Sequence, residues 1–490
     1  MQDYFLKFRN GIIGINKQIP SPDGSEHTIV YADWTASGRN FAPIESRIQN
    51  EIMPFVANTH TETSATGMAM TYAYHEARNL IKKHVNASTN DVIITTGSGM
   101  TGMVNKFQRI LGLRVHGKLA VVPTEEDRPV VFITHMEHHS NQTSWLETIA
   151  TVEIIEPTSD GLVDLNHLKT LLEKYKNRLT KIASITACSN VTGIQTPYHE
   201  AAQIMHQAGG VIFVDFACSA PYVPINMHPE MENAQLDAIF FSPHKFLGGP
   251  GTSGVLIFNK SLYNNEIPDD CGGGTVDWTN PWGEHKYIDD IEAREDGGTP
   301  PFLQTIKTAM CISLKEQMGV TNILQREHEV LEILWKKIEN IPNLHILAPQ
   351  HKNRLAILSF YIDDMHYNLG VRILSDKFGI QCRGGCSCAG TYGHYLLNVG
   401  QEQSQQITDL INQGDFSHKP GWIRVSLHPT MTNEEVEFIG NAIQELAKNF
   451  EEWGKGYDFI PCQNSLTLTD RTSDEKIKNT MYEALTAKFV

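Results

Sequence analysis

The sequence predicts an α/β protein: a large domain with a mostly parallel sheet covered by helices, followed by a smaller α+β C-terminal domain. Three observations carry this. Between residues 90 and 260, short apolar runs ("DVIITTG", "RPVVFIT", "KIASITAC", "GGVIFVDF", "LDAIFFSP", "SGVLIF") alternate with longer polar segments of helical period, the pattern of strand and crossover helix. One intervening segment, "YHEAAQIMHQAGG", closes with the glycines expected just past a helix end. Near residue 340 a second set begins, with "LAILSFYI", "GIQCRGG" and "WIRVSLHP" as strands. Its last helix places Val436, Ile439, Ile443, Leu446 and Phe450 on one face, with Asn433 as the expected cap and Glu434 and Glu435 at the positive end.

These elements divide the chain into an N-terminal segment over 1–30 expected to pack on the small domain, a large domain over 31–315, a small one over 316–450 and an extension over 451–490 that docks as a late helix. Residues 268–301 are rich in Gly, Pro and charge without a sustained period, so a long functional loop is expected there. Composition narrows the function. At 490 residues, 41% hydrophobic and 20% charged, the chain is an ordinary globular protein. Its net charge of −16 opposes binding to nucleic acid or to an anionic membrane, which leaves a small-molecule substrate. No apolar run reaches the roughly 18 residues of a membrane span, and the first residues mix charge with glycine, so a cytoplasmic protein is expected. Cysteines at 188, 218, 271, 311, 382, 386, 388 and 462 are too dispersed for a disulfide scaffold.

Chemistry gathers at strand ends. Lys245, in "FFSPHKFLGG", lies just past a strand with Ser242 and His244 beside it, where side chains enter the ligand crevice of an α/β sheet and a lysine can serve as a Schiff-base amine. Asp215 ends "GGVIFVDF" at the same edge. A lysine and a carboxylate together are what pyridoxal phosphate requires, although a strand-end aspartate can also cap the next turn. "TTGSGMTGMVN" (95–105) offers backbone N–H groups entering a helix, which suits a phosphate. "HMEHHSN" (135–141) offers imidazoles for a planar ring; His135, His138 and His139 could equally ligate a metal, but no closing Cys or carboxylate stands at zinc spacing. Cys188 and Cys218 read as small buried hydrophobes, and Cys382 as strand packing.

In this order the motifs resemble the class V, fold-type I pyridoxal-phosphate enzymes, and within them the group II cysteine desulfurases and selenocysteine lyases. The resemblance spans about residues 28 to 450. It implies pyridoxal 5'-phosphate as cofactor, held by the backbone of Met100 and Thr101, by Ser242 and His244 at the phosphate, by His138 over the ring, by Asn190 near the pyridine oxygen and by Asp215 at the ring nitrogen. It makes Lys245 the Schiff-base lysine, Arg424 of "WIRVSL" the substrate-carboxylate ligand and Thr299 of "GGTP" a phosphate ligand for the other subunit of a homodimer. "RGGCSC" looks like the loop that presents the persulfide cysteine, here Cys388, with Arg383 beside it.

Two departures stand out. Cys218 replaces a glutamine that would bond the cofactor, and the stretch from Cys388 to Arg424 is longer than in the family. The "GCSC" spacing is also similar to the N-terminal domain of molybdenum cofactor sulfurases. The implied reaction removes sulfur or selenium from cysteine or selenocysteine, leaves alanine and a persulfide on Cys388, and passes sulfur to an acceptor protein. A class V aminotransferase, C–S lyase or epimerase keeps the same cofactor and makes "CSC" incidental. Cys386 has no role in either reading.

Overall fold

The computed structural model describes residues 1–59, 61–97, 99–115, 123–468 and 472–489. The chain forms two compact units: Ser37–Ser189 with Gln195–Thr321, and Met1–Ala36 with Asn190–Ile194 and Asn322–Val490.

The larger unit is built on seven strands, β1 (Asp91–Thr96), β2 (Val130–Thr134), β3 (Thr151–Ile155), β4 (Lys181–Thr186), β5 (Val211–Asp215), β6 (Ala238–Phe241) and β7 (Gly254–Asn259), in the order β1-β7-β6-β5-β4-β2-β3. Only β7 runs opposite to the other six. The strands are near-continuous apolar runs because helices cover both faces. Helix α1 (Gly99–Ile110) turns Met103, Val104, Phe107 and Ile110 into a cluster with Phe213, Phe240 and Phe258, where the Phe107 ring lies 4.8 Å from that of Phe258. The helix Tyr198–Gln207 ends at Ala208, and Gly209 follows at φ +68°, the left-handed conformation that stops a helix cheaply.

The segment 268–301 holds more order than its composition suggests. Val276–Thr279 pairs with His285–Tyr287, and Ile291–Arg294 forms a helical turn. The hairpin is held by the Asn280 side chain, whose Oδ1 accepts the N–H groups of Trp282 and Glu284, a local bond that hydrophobic periodicity does not register.

The smaller unit carries a second sheet of β8 (Leu344–Ile346), β9 (Ile357–Ile362), β10 (Arg383–Gly385) and β11 (Trp422–Ser426), antiparallel throughout in the order β8-β9-β11-β10. "GIQC" does not make one strand. Ile380–Gln381 pairs with Val30–Tyr31 and Arg383–Gly385 pairs with β11, so Cys382 sits at the switch between two partners. The helix Gln2–Arg9 belongs to this unit, where Arg9 bonds Glu435 with 2.6 and 2.7 Å contacts. Residues 390–421 fold into the helices Gly390–Leu396 and Gln401–Asn412, and the C-terminal stretch ends in the helix Thr472–Thr486. Among the described residues no helix is long and apolar enough to cross a membrane.

The cap of Asn433–Gly454 is Thr432 and not Asn433. Thr432 Oγ1 accepts the Glu435 N–H at 3.2 Å, and Glu435 Oε2 accepts the Thr432 N–H at 3.1 Å, a reciprocal capping box. Asn433 instead donates its N–H to Gln2 Oε1 at 2.6 Å, which ties the helix Gln2–Arg9 to the first turn of Asn433–Gly454. Thr432→Ala is therefore expected to cost about 1 kcal/mol in the unfolding of this unit, and Asn433→Ala less, as read by urea titration of the two variants.

Candidate active site

The parallel strands of the large unit end at one edge, and the site residues leave from it. Asp215 closes β5, and its register partner Phe240 stands one residue before the end of β6, so Ser242 and the turn Pro243–Lys245 emerge beside the Asp215 carboxyl. Asp215 is buried, at 3% exposure, and accepts one bond from the Ala217 N–H at 2.8 Å. Burial pushes its carboxyl up to about 6; the Ala217 bond and the Lys245 charge oppose the shift without cancelling it. Lys245 is half-buried, and burial together with its charge pushes His244 down to about 4.

An anion cradle stands next to them. The first residues of α1 face Ser242 and His244: the Met100 N–H donates to Ser242 Oγ at 2.8 Å. Gly99, at φ +67°, leaves room that any side chain would fill, since a Cβ there would lie 2.9 Å from Ser242 Oγ and 3.0 Å from the His244 ring. Thr101 Oγ1 lies 2.6 Å from Ser140 Oγ, and Ser98 of this run lies outside the described residues. His138 is the cap of the helix His139–Leu146, with Nδ1 accepting the Ser140 N–H at 3.1 Å. His135 is buried and its Nε2 lies 3.2 Å from the Gly161 carbonyl, whereas the His138 and His139 rings lie near each other, with centroids 6.3 Å apart. Thr299 is exposed, in the bend after Gly298.

Glu137 lies among the imidazoles of "HMEHHSN" with no spacing signal of its own. It is 1% exposed and accepts bonds from Thr134 Oγ1 (2.6 Å), Asn141 Nδ2 (2.8 Å) and the Thr186 N–H (2.9 Å), tying the ends of β2 and β4 to the helix capped by His138. Burial pushes it up to about 7, with the Asp215 charge adding to the shift. Cys218, where a glutamine was expected, points its thiol at the Ser189 carbonyl at 3.8 Å, and Cys188 makes a 3.6 Å contact with the same oxygen.

The smaller unit holds a second group. Arg424, on β11, is 1% exposed; its Nη2 donates to Asp33 Oδ1 at 2.7 Å and its Nη1 to the Asn190 carbonyl at 3.1 Å. Asp33 was not foreseen, because it pairs across 391 residues of chain with no local signal. Asn190 donates from Nδ2 to the Ser387 carbonyl at 2.7 Å, and its Oδ1 is buried with no hydrogen-bond partner among the described residues. Arg383 stands directly opposite Arg424 in the sheet, and its Nη2 lies 3.6 Å from Cys388 Sγ. Cys388 and Ser387 both have positive φ, +59° and +51°, in a turn closed by the Ala389 N–H and the Cys386 carbonyl at 2.9 Å. This is a type I′ turn made without glycine, and holding two such residues costs about 1–2 kcal/mol each. Burial pushes the Cys382 thiol well above the ordinary range.

The large unit's residues fit pyridoxal phosphate: a cradle at the start of a 12-residue helix that only glycine leaves open, a buried carboxyl avid for a proton, and an amine beside it. The fold and these groups define a fold-type I pyridoxal-phosphate-dependent enzyme. Residues 30–439 match the aminotransferase class-V family, and the chain belongs to it. A probable cysteine desulfurase of Staphylococcus epidermidis is 29% identical over 365 residues, covering 74% of this chain and 83% of the relative. One from Synechocystis is 25% identical over 432 residues, covering 87% and 93%. Among solved structures, a cysteine desulfurase from Thermococcus onnurineus aligns with a TM-score of 0.70 at 22% identity over 89% of this chain and 98% of that one. One from Escherichia coli aligns at 0.69 and 20% identity over 91% and 98%.

The Asp215 carboxyl carries a pH signature. Unfolded, it ionises near 3.8; folded and without cofactor, near 6, so between these values the folded state binds more protons and raising the pH withdraws stability. Asp215→Asn cannot ionise. Without cofactor it is expected to be more stable than the parent above pH 6, by at most about 3 kcal/mol, with the gap closing below pH 4 in thermal unfolding scans.

Proposed function

We propose that this enzyme is a cysteine desulfurase, acting also on selenocysteine, and that it works in the cytoplasm as a homodimer in which Thr299 serves the partner's phosphate site. What supports the sulfur chemistry most is the 3.6 Å approach of Arg383 Nη2 to Cys388 Sγ on a strained turn. A guanidinium beside a thiol favours the thiolate, the form that attacks sulfur. An aminotransferase or epimerase has no use for that contact.

Bound to the large unit, pyridoxal phosphate supplies an electron sink for the pair left on Cα of the substrate. The chain's own residues do the rest. Arg424 takes the substrate carboxylate; it is buried and held by Asp33 and the Asn190 carbonyl, so the guanidinium is oriented before substrate arrives. Asp215 keeps a proton on the ring nitrogen as its counter-charge, and His138 covers the ring face. Met100, Thr101, Ser242 and His244 hold the phosphate. Lys245 removes the Cα proton as a free amine. Cys388 thiolate attacks the substrate sulfur; the S–S bond forms as the C–S bond breaks, the carbon takes a proton, and alanine leaves a persulfide on Cys388. The sulfur then passes to an acceptor.

Cysteine with a reductant should yield alanine and sulfide in equal amounts. Cys388→Ala is expected to lose at least about 100-fold in alanine formation while keeping the cofactor's visible absorbance, and Lys245→Ala to lose both. Full activity in Cys388→Ala would remove the persulfide step. Arg424→Lys, which keeps the charge and loses the planar fork, is expected to raise KM for cysteine about tenfold or more with a smaller change in kcat, measured by steady-state alanine production.

A further inference from the structure

The stretch between Cys388 and Arg424 is not filler. The helices Gly390–Leu396 and Gln401–Asn412 wall a cavity of about 130 Å³ within the small unit. His394 pins them together, with Nδ1 at 2.8 Å from the Gly390 carbonyl and Nε2 at 2.8 Å from Ser404 Oγ. Leu397, Ile407, Ile411 and the Trp422 ring form the apolar walls of the cavity, while His394, Ser404, Thr408, Lys419 and Cys386 break that lining. Trp422 is 0% exposed, and its Nε1–H has no hydrogen-bond partner among the described residues. At 0% exposure this N–H is closed off from the cavity as well as from solvent, so Trp422 serves as wall and not as a donor.

The size suits a small molecule, since a cavity of roughly 150 Å³ holds benzene. The lining suits a small anion with a short apolar body: aliphatic walls, with the half-buried Lys419 as the cation among the lining residues. Cys386 supplies the reason for such a molecule to bind here. The turn 386–389 carries two cysteines; Cys388 stands by Arg383, and Cys386 lines the cavity.

We propose that this cavity binds a small anionic thiol as sulfur acceptor, and that Cys386 relays sulfur to it from Cys388. The relay rests on the Cys388 persulfide of the proposed function. Cys386 thiolate attacks the outer sulfur of that persulfide, forming one S–S bond while the bond to Cys388 breaks and Cys388 departs as thiolate. The bound thiolate then attacks the same sulfur on Cys386 and carries it away as a small-molecule persulfide, returning Cys386 to thiolate. Each step exchanges one S–S bond for another, so no oxidant or reductant is consumed.

The test is steady-state alanine formation by the holoenzyme from cysteine, with 3-mercaptopropionate or 2-mercaptoethanol as acceptor. The expected half-saturating concentration is at least about tenfold lower for the anionic thiol, and Lys419→Gln should bring the two within about threefold, the order of one lost charge contact. Ile411→Trp, which fills the cavity, should weaken 3-mercaptopropionate alone. Cys386→Ser should form one equivalent of alanine per site, hold the outer sulfur on Cys388 in alkylation and mass spectrometry, and turn over at least about tenfold more slowly with 3-mercaptopropionate. Equal use of both thiols by the parent enzyme, or full turnover by Cys386→Ser, would overturn the relay. A burst of alanine from Cys388→Ser would instead overturn the persulfide reading beneath it.

Discussion

The buried carboxyl of Asp215 is the constraint around which the large unit is arranged. A carboxylate at 3% exposure with a single backbone donor is short of the bonds that normally compensate burial, and its proton affinity rises accordingly. Such a group calls for a cation. The sheet answers by topology: parallel strands β5 and β6 end together, so the Lys245 turn is delivered to the same edge without any contact between the two in sequence. Glu137 sits in this setting as a second buried carboxyl, but its bonds to Thr134, Asn141 and Thr186 make it a strut. Asn141 extends that strut by donating to the Ser184 carbonyl and accepting from Ser184 Oγ and Trp145 Nε1. A network this fully satisfied fixes the strand ends, and with them the helix that His138 caps.

The small unit solves a matching problem of opposite sign. Arg424 is a guanidinium in the middle of a sheet at 1% exposure, which would be untenable alone. The N-terminal segment provides the answer, because Val30–Tyr31 pairs with Ile380–Gln381 and brings Asp33 to the guanidinium. The same sheet places Arg383 opposite Arg424 and hands the chain into the type I′ turn of Ser387 and Cys388. Strain of that kind persists only where the surroundings determine it, and the Asn190 amide bond to the Ser387 carbonyl is one such restraint.

Much of this was legible in the chain. Apolar runs of strand length separated by helical stretches reveal a parallel sheet, because a strand covered on both faces has nothing polar to show. The positions of Lys245 and Asp215 follow from the same pattern, since strand ends can be read wherever the apolar run stops. The hairpin within 268–301 could not be read this way; it depends on one asparagine side chain. Thr432 and Asn433 are adjacent candidates for one cap, and only backbone geometry with Glu435 three residues on decides between them.

The sequence by itself determined the fold class, the cofactor chemistry and the identity of most polar groups, because these follow from local periodicity and ordered motifs. Tertiary structure alone decided which charges meet. Asp33 with Arg424 and Glu137 with Thr186 are separated by long stretches of chain, and pairings of that range leave no trace in spacing. It also decided that Cys386 and Cys388, two residues apart, face different surroundings, because two successive left-handed residues reverse the chain between them.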